Sequence, residues 1–335
     1  MPRTVLYLSD ADVRQLLDMP RAIALVEEVC RMQAAGTIVW PEPRMFTMRG
    51  QKFRSDYRVK ACSLEEIPVS GVRAVGVHIA PDGSGSGAPD SMRYVLLNDP
   101  ATGVPLAIVD EHWSYALRTT AAGCVAAKYL ARADAAVVGL LGVGNMGRTS
   151  LLGLKDLFPI REVRATSRRP ETRERFAREM EDQLGLRIRP VATAEEVVRG
   201  ADIVMAGTTA TQALVYEPWL QPGAFICALG RREIEPAVFR AVEKFLVDDW
   251  EQVFYSKDIT ELMKAGHLAQ EDLYGEVWEV VTGKKPGRER PEERVLVRIE
   301  GLVSQDVAIA HWLYRAAVER GVGLPLPRPG SDPEL

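Results

Sequence analysis

The chain of 335 residues is 47% hydrophobic and 26% charged, with a formal net charge of −4. That length and balance predict two domains with cores of ordinary size, and they argue against a disordered chain. The mild acidity, with no stripe of Lys and Arg, argues against a nucleic-acid or anionic-membrane partner.

Val5–Leu8 is β-prone, and Ser9 and Asp10 offer an N-cap for a helix behind it. The opening apolar run is too short for a signal peptide. A second helix is expected from Asp18-Met19-Pro20 to Gly36, a natural stop. From Arg44 to Val109 the pattern changes to short alternating or β-branched runs: Tyr57–Ala61, Gly71–His78, Arg93–Asn98 and Leu106–Val109. With a loop at 81–89 and a hairpin turn at 99–103, they predict a curled antiparallel sheet.

Thr119–Ala133 reads as an alanine-rich helix. Beyond it, apolar strands at 136–142, 163–166, 202–207, 224–229 and 245–249 are mostly separated by helical stretches, which predicts a parallel, doubly wound sheet. Residues 283–294 read as an exposed loop, and the stretch after 300 as one amphipathic helix ending at Gly321. The longest apolar run, 135–144, is well short of a membrane span. Cys30, Cys62, Cys124 and Cys227 lie far apart with no CxxC pair, and the histidines form no cluster. No metal site is expected, and the thiols fit a reduced, cytoplasmic setting.

Gly142-Val143-Gly144-Asn145-Met146-Gly147 follows an apolar strand, opens a helix and begins a βαβ unit. In that context a GxGxxG run is the Rossmann dinucleotide fingerprint. The first glycine makes the turn, the second lets backbone amides reach a pyrophosphate, and the third lets helix pack on strand. The second strand ends in Thr166-Ser167-Arg168-Arg169, where an NAD site would carry an acidic residue. A hydroxyl and two guanidinium groups suit a 2′-phosphate instead, so the expected cofactor is NADP(H). Each contact to a charged group contributes roughly 1.5–3 kcal/mol, so one shifts the preference by about ten- to a hundredfold. Arg168 is the first choice for that contact, with Ser167 and Arg169 beside it. Thr208, directly after the strand at 202–207, completes the cofactor-binding candidates.

Further motifs run along the whole chain. Thr102-Gly103-Val104-Pro105-Leu106-Ala107 is followed by Asp110 and by Ala116-Leu117-Arg118-Thr119-Thr120-Ala121-Ala122. Pro-Gly-Ala at 222–224, Val-Thr-Gly-Lys at 281–284, Pro-Gly-Arg at 286–288 and Gln305-Asp306-Val307-Ala308 come after. In these ordered motifs the chain resembles the ornithine cyclodeaminase/mu-crystallin family. The resemblance implies an α/β protein: a Rossmann doubly wound parallel sheet at 126–304, plus an α+β substrate-binding and dimerisation domain with a curled, mostly antiparallel sheet at 1–125, completed by 305–335. It also implies a homodimer, and members that reduce imines, oxidise or deaminate amino acids, or bind NADPH.

In that family two arginines hold the substrate carboxylate, and Arg44 and Arg118 match them. A planar fork of donors with permanent charge suits that task. A structural ion pair is the alternative role for each. Two departures stand out. The family's catalytic lysine lies in a Gly-Val-Lys stretch, and this chain has Gly71-Val72-Arg73. Arginine keeps the charge but is a poor proton donor near neutral pH. Lys60, on the preceding predicted strand, is the preferred substitute, with Arg58 and Arg73 expected to tune it, and His78 is the second candidate. The other departure is the run from Gly230 to Glu235, which is shortened and lacks the cyclodeaminase aspartate. The expected function is NADP(H)-dependent oxidoreduction at the C=N or C–N bond of an amino-acid-like carboxylate substrate. A cyclodeaminase, or an NADPH-binding protein with little turnover, is the alternative.

Overall fold

The computed structural model describes residues 4–78, 91–254 and 256–328, so the expected loop at 81–89 lies outside the described residues. They divide into two units, one reaching to Arg118 and resuming at Leu302, the other Thr119–Gly301.

In the first unit, β1 (Thr4–Leu8) leads into α1 (Asp10–Leu16). Ser9 and Asp12 cap that helix reciprocally, each side chain accepting from the other's backbone N–H. In α2 (Met19–Ala35), Asp18 accepts from the Arg21 N–H at 2.9 Å and Gly36 ends the helix at φ +70°. Next come β2 (Ile38–Val39), β3 (Phe46–Gly50), β4 (Ser55–Leu64), β5 (Val69–His78), β6 (Arg93–Asn98) and β7 (Pro105–Asp110). The expected turn at 99–103 joins the last two, with the Gly103 N–H donating to Asp99 O at 2.8 Å. The helix expected from Thr119 begins earlier, as α3 (His112–Leu130), where the Asp110 carboxylate accepts from the His112 N–H at 2.9 Å. The division into units therefore falls inside α3, earlier than residue 125.

The second unit alternates strand and helix: β8 (Val137–Leu141), α4 (Asn145–Leu157), β9 (Glu162–Thr166), α5 (Pro170–Leu184), β10 (Ile188–Pro190), α6 (Ala194–Val198), β11 (Ile203–Ala206) and β12 (Phe225–Ala228). Then follow α7 (Pro236–Ala241), β13 (Lys244–Val247), α8 (Trp250–Val253), α9 (Lys257–Lys264), β14 (Gly275–Glu276), α10 (Val277–Val281) and β15 (Val295–Arg298). The strands lie in the order β10-β9-β8-β11-β12-β15-β13-β14, and all are parallel. The first five follow the dinucleotide-fold order, with its switch point between β8 and β11. β11, β12, β13 and β15 are buried at every residue, as central parallel strands must be. The stretch at 283–294 is a loop but is not simply exposed. Glu293 is buried against Lys244, and the Arg288 Nε–H donates to Leu130 O at 2.8 Å.

The first unit closes with α11 (Val303–Arg320), ended by Gly321 at φ +65°, and β16 (Leu324–Pro327). Its sheet runs β16-β1-β7-β6-β5-β4-β2, with β3 also on β4, and only the β1–β7 pair is parallel. Helix α11 lies on one face. A methyl group at Gly71 would sit 2.5 Å from Val307 Cγ2, so the glycine permits that close approach. The opposite face carries Phe46, Met48, Tyr57 and Leu96 exposed. Among the described residues, no helix is long and apolar enough to cross a membrane.

Candidate active site

The chemistry-bearing residues of the first unit gather on the α11 side of its sheet. Lys60 on β4 stands directly opposite Arg73 on β5, so the two side chains share a face. The Arg73 Nε–H donates to both carboxylate oxygens of Glu111, at 2.7 and 2.8 Å, and lies 3.2 Å from Asp306 Oδ2. Arg118 of α3 donates from Nε to Asp306 Oδ1 at 2.5 Å. Arg73, Glu111, Arg118 and Asp306 are all buried. The guanidinium groups of Arg93, Arg118 and Arg73 lie 4.3, 4.9 and 5.5 Å from the centre of the Tyr115 ring. An aromatic face draws cations together that would otherwise repel.

The electrostatics of the cluster are uneven. Burial pushes the Glu111 carboxyl up to about 7; Arg73 opposes the shift, and Asp306 adds to it by charge and hydrogen bond. Burial acts on Asp306 in the same direction, but Arg118 and Arg73 outweigh it and hold Asp306 below the usual carboxylate range, with Lys60 contributing. Arg73 is held above the ordinary arginine value: burial works against its charge, and Glu111 and Asp306 overcome it. One buried donor is left over. Arg118 Nη1 has no hydrogen-bond partner among the described residues, and a buried polar group is rarely left so without a ligand or water to meet it.

Lys60, Arg73 and Arg118 thus converge on Asp306. His78 does not join them. It is exposed, and an odd number of positions along β5 separates it from Arg73, which turns it to the opposite face about 17 Å along the strand. Arg44 is half-buried in the loop between β2 and β3, its guanidinium 4.5 Å from the centre of the Trp40 ring.

In the second unit the fingerprint glycines differ in why they are needed. Gly142 has φ +93°, and a methyl group there would lie 2.7 Å from Gly207 O and 2.9 Å from Thr208 Cγ2. A methyl group on Gly147 would run into Gly142 O. Packing alone accounts for both. Gly144 is the exception. It caps α4 with an ordinary φ of −75°, is exposed, and a methyl group there would meet nothing within 4 Å. The protein's own fold does not require glycine at this position, and a bare backbone at a helix N-terminus is what close approach of a pyrophosphate would need. Asn145 is exposed beside it, and Met146 is half-buried against Gly207.

At the end of β9, the Ser167 hydroxyl donates to Arg169 O at 2.9 Å and Arg173 Nη1 donates to Ser167 O at 3.2 Å. That turn leaves Arg168 and Arg169 exposed. The Thr208 N–H, at the end of β11, donates to the buried carboxylate of Glu233, which also accepts from the Gly230 N–H at 2.9 Å. The short 230–235 run is therefore a tight turn wound around Glu233. It borders a cavity of about 340 Å³ lined in part by Arg232, Asp258, Leu262 and Arg298.

The sequence pattern of the ornithine cyclodeaminase/mu-crystallin family matches residues 4–321. The chain belongs to that family. It is 32% identical over 324 residues to an alanine dehydrogenase of Archaeoglobus fulgidus, covering 95% of this chain and 97% of that one. Among solved structures, it resembles a Δ1-pyrroline-2-carboxylate reductase of Thermococcus litoralis in complex with NADH and L-proline, with 32% identity and a TM-score of 0.89 over 96% of this chain and 99% of that one. An archaeal alanine dehydrogenase dimer with bound NAD gives 31% identity and a TM-score of 0.87, again over 96% and 99%. Within this family frame, two residues of the buried cluster escape a reading by motif. Glu111 carries no role in the pattern TGxPLA-D-ALRT, and Asp306 is recognised only as part of Gln305-Asp306-Val307-Ala308.

Proposed function

We propose that this protein is an NADP(H)-dependent oxidoreductase that reduces the C=N bond of a small imine bearing a carboxylate. One observation carries the reading: a buried arginine pair with a spare donor, Arg118 Nη1, beside Lys60. A carboxylate offers the flat, two-acceptor partner that such a donor lacks. The relatives are named for substrates of this class, an amino acid and a cyclic imino acid.

Arg118 and Arg44 hold the substrate carboxylate. Gly142, Gly144, Asn145, Met146 and Gly147 hold the pyrophosphate of the dinucleotide, Ser167, Arg168 and Arg169 its 2′-phosphate, and Thr208 lies beside them. The fit rests on Gly144, whose bare Cα the fold itself does not need. When bound, the reduced nicotinamide supplies a hydride to the imine carbon. That carbon is electrophilic enough only when the imine nitrogen is protonated, and the Lys60 ammonium gives that proton. Arg73 stays charged, held so by Glu111 and Asp306, and shapes the field. Arg58 is tied to Asp56 at 2.7 Å, and Arg73 is tied to Glu111. The two cations expected to act on Lys60 are thus each offset by a carboxylate.

The relative bound to NAD is a dimer. Here Phe46 (57% exposed) and Met48 (58%) lie on one sheet face with Tyr57 and Leu96, an apolar patch that a second copy of the chain would cover. A monomer in sedimentation equilibrium would remove that part of the proposal. The reaction is tested by following NADPH oxidation with a panel of 2-oxo acids plus amines and of preformed cyclic imino acids. Turnover of at least one carboxylate-bearing imine is expected. Release of ammonia and proline from ornithine, faster than any imine reduction, would replace the reading with a cyclodeaminase.

A further inference from the structure

Before any substrate arrives, the two guanidinium charges of the cluster are already matched. Arg73 Nε is bonded to both oxygens of Glu111, and Arg118 Nε to Asp306. Arg93 from β6 and Asp306 from α11 also face Glu111, and Lys60 of β4 and Tyr115 of α3 stand against Arg73 in the same cluster. Glu111 and Asp306 share one guanidinium, with Arg73 Nε 2.7 Å from Glu111 Oε1 and 3.2 Å from Asp306 Oδ2. Two carboxyl groups held that close disfavour each other's charge, so added negative charge favours a proton on one of them. Asp306 Oδ2 is buried and accepts no hydrogen bond among the described residues, although Arg73 Nε lies 3.2 Å away. A proton taken up by Glu111 would supply a donor there.

We propose that Glu111 is a positioning residue that takes up one proton when a carboxylate-bearing ligand binds, leaving Arg73 and Arg118 with net charge to hold it. The inference rests on the carboxylate clamp proposed above and adds a residue to it. A third carboxylate brought against Arg118 adds negative charge beside Glu111 and Asp306. Asp306 is the stronger acid of the two and stays ionised, so the relief comes at Glu111. Its carboxyl titrates near neutrality, where the proton is neither fully present nor fully absent. The pair then carries one negative charge against two guanidinium groups, and the ligand supplies the second.

The test uses the full-length protein with NADP+ and pyrrole-2-carboxylate, an unreactive flat carboxylate. Binding heats are measured from pH 5.5 to 9 in buffers of different ionisation enthalpy, which gives the protons taken up per ligand. The wild type is expected to take up about half a proton at pH 7, close to one near pH 8 and above, and almost none at pH 5.5, where Glu111 is already protonated. Its affinity should fall about tenfold per pH unit above pH 8, by linkage. In Glu111→Gln the uptake should vanish and the affinity should become nearly independent of pH. Binding without uptake in the wild type, or uptake unchanged in Glu111→Gln, overturns the proposal. Should that variant not fold, the wild-type curve decides: uptake that persists at pH 5.5 contradicts a role for Glu111. Failure of the probe to bind at any pH removes the clamp itself, and this inference with it. Binding that is lost in Arg118→Met but brings no proton removes Glu111 alone.

Discussion

The glycine loop of the second unit and the arginine cluster of the first are built on opposite principles. The loop is a contiguous run of six residues whose business is done by backbone, and Gly144 is the one member that packing does not explain. The cluster draws Lys60, Arg73, Arg93, Glu111, Arg118 and Asp306 from β4, β5, β6, α3 with the residue before it, and α11. At its buried centre Arg73 is paired with Glu111 and Arg118 with Asp306, with Lys60 and Arg93 half-buried at the side. A site made of backbone at a helix start tolerates side-chain change around it. A site made of matched buried charges does not, because removing one partner strands the other.

That contrast sets the order of the expected effects. Arg118→Met removes the clamp and leaves Asp306 without its closest cation. Breaking a buried pair costs roughly 3–5 kcal/mol of stability, so the melting temperature should drop, and losing one to two charge-assisted contacts to the substrate should lower kcat/KM about a hundredfold or more. NADPH affinity, assigned in the proposal to the other unit, should stay nearly unchanged in the same variant. A dissociation constant for NADPH that rises in parallel would blur the division drawn here.

Lys60→Met should cut imine reduction by roughly a hundredfold, the usual scale for loss of a general acid. His78→Ala is the contrasting variant, since that side chain points to the other face of the sheet. Full activity in Lys60→Met together with loss in His78→Ala would move the proton donor out of the cluster.

On the nucleotide side the effect is smaller. The wild type should bind NADPH at least about tenfold more tightly than NADH, the scale of one charge-assisted contact. Arg168→Asp should abolish or reverse that preference by placing a negative charge where the proposed 2′-phosphate contact lies. Equal dissociation constants in the wild type would remove the assignment of the β9 turn.

The smallest effect concerns stability. Glu111 and Asp248 both titrate near 7 in the folded protein because burial raises them. Between their unfolded values and about 7 the folded state binds more protons than the unfolded state. Stability should therefore fall as pH rises through that window. Glu111→Gln should flatten part of the slope and leave the share of Asp248. An unchanged slope would mean that Glu111 is not protonated in the free protein.

Most of the fold was readable because its signals are local. Ser9, Asp18, Gly36 and Gly321 cap their helices, and the 99–103 turn closes its hairpin, all through contacts within a few residues. β15 was missed because its four residues follow a charged stretch, and only the neighbours β12 and β13 make it a strand. The loop before it reads as exposed in the sequence because nothing local shows that Lys244 and Leu130 pin it. The cofactor loop was legible as a motif for the same local reason. The buried cluster was legible only in part. Arg118 and Lys60 could be singled out, but Glu111 follows a strand as an ordinary acidic residue, and its partner Arg73 is far away in sequence. Asp306 lies farther still from Arg118, and α11 alone brings it there.

The most direct test of the central claim compares two imines in the wild-type protein, one carrying the carboxylate and one identical but for its loss. With Arg118 offering a buried, otherwise unpartnered donor, the carboxylated imine should be reduced by NADPH about a hundredfold faster or more in kcat/KM, the worth of one to two charge-assisted contacts. Equal rates for the two would contradict the clamp and, with it, the reading of the buried cluster as the substrate site.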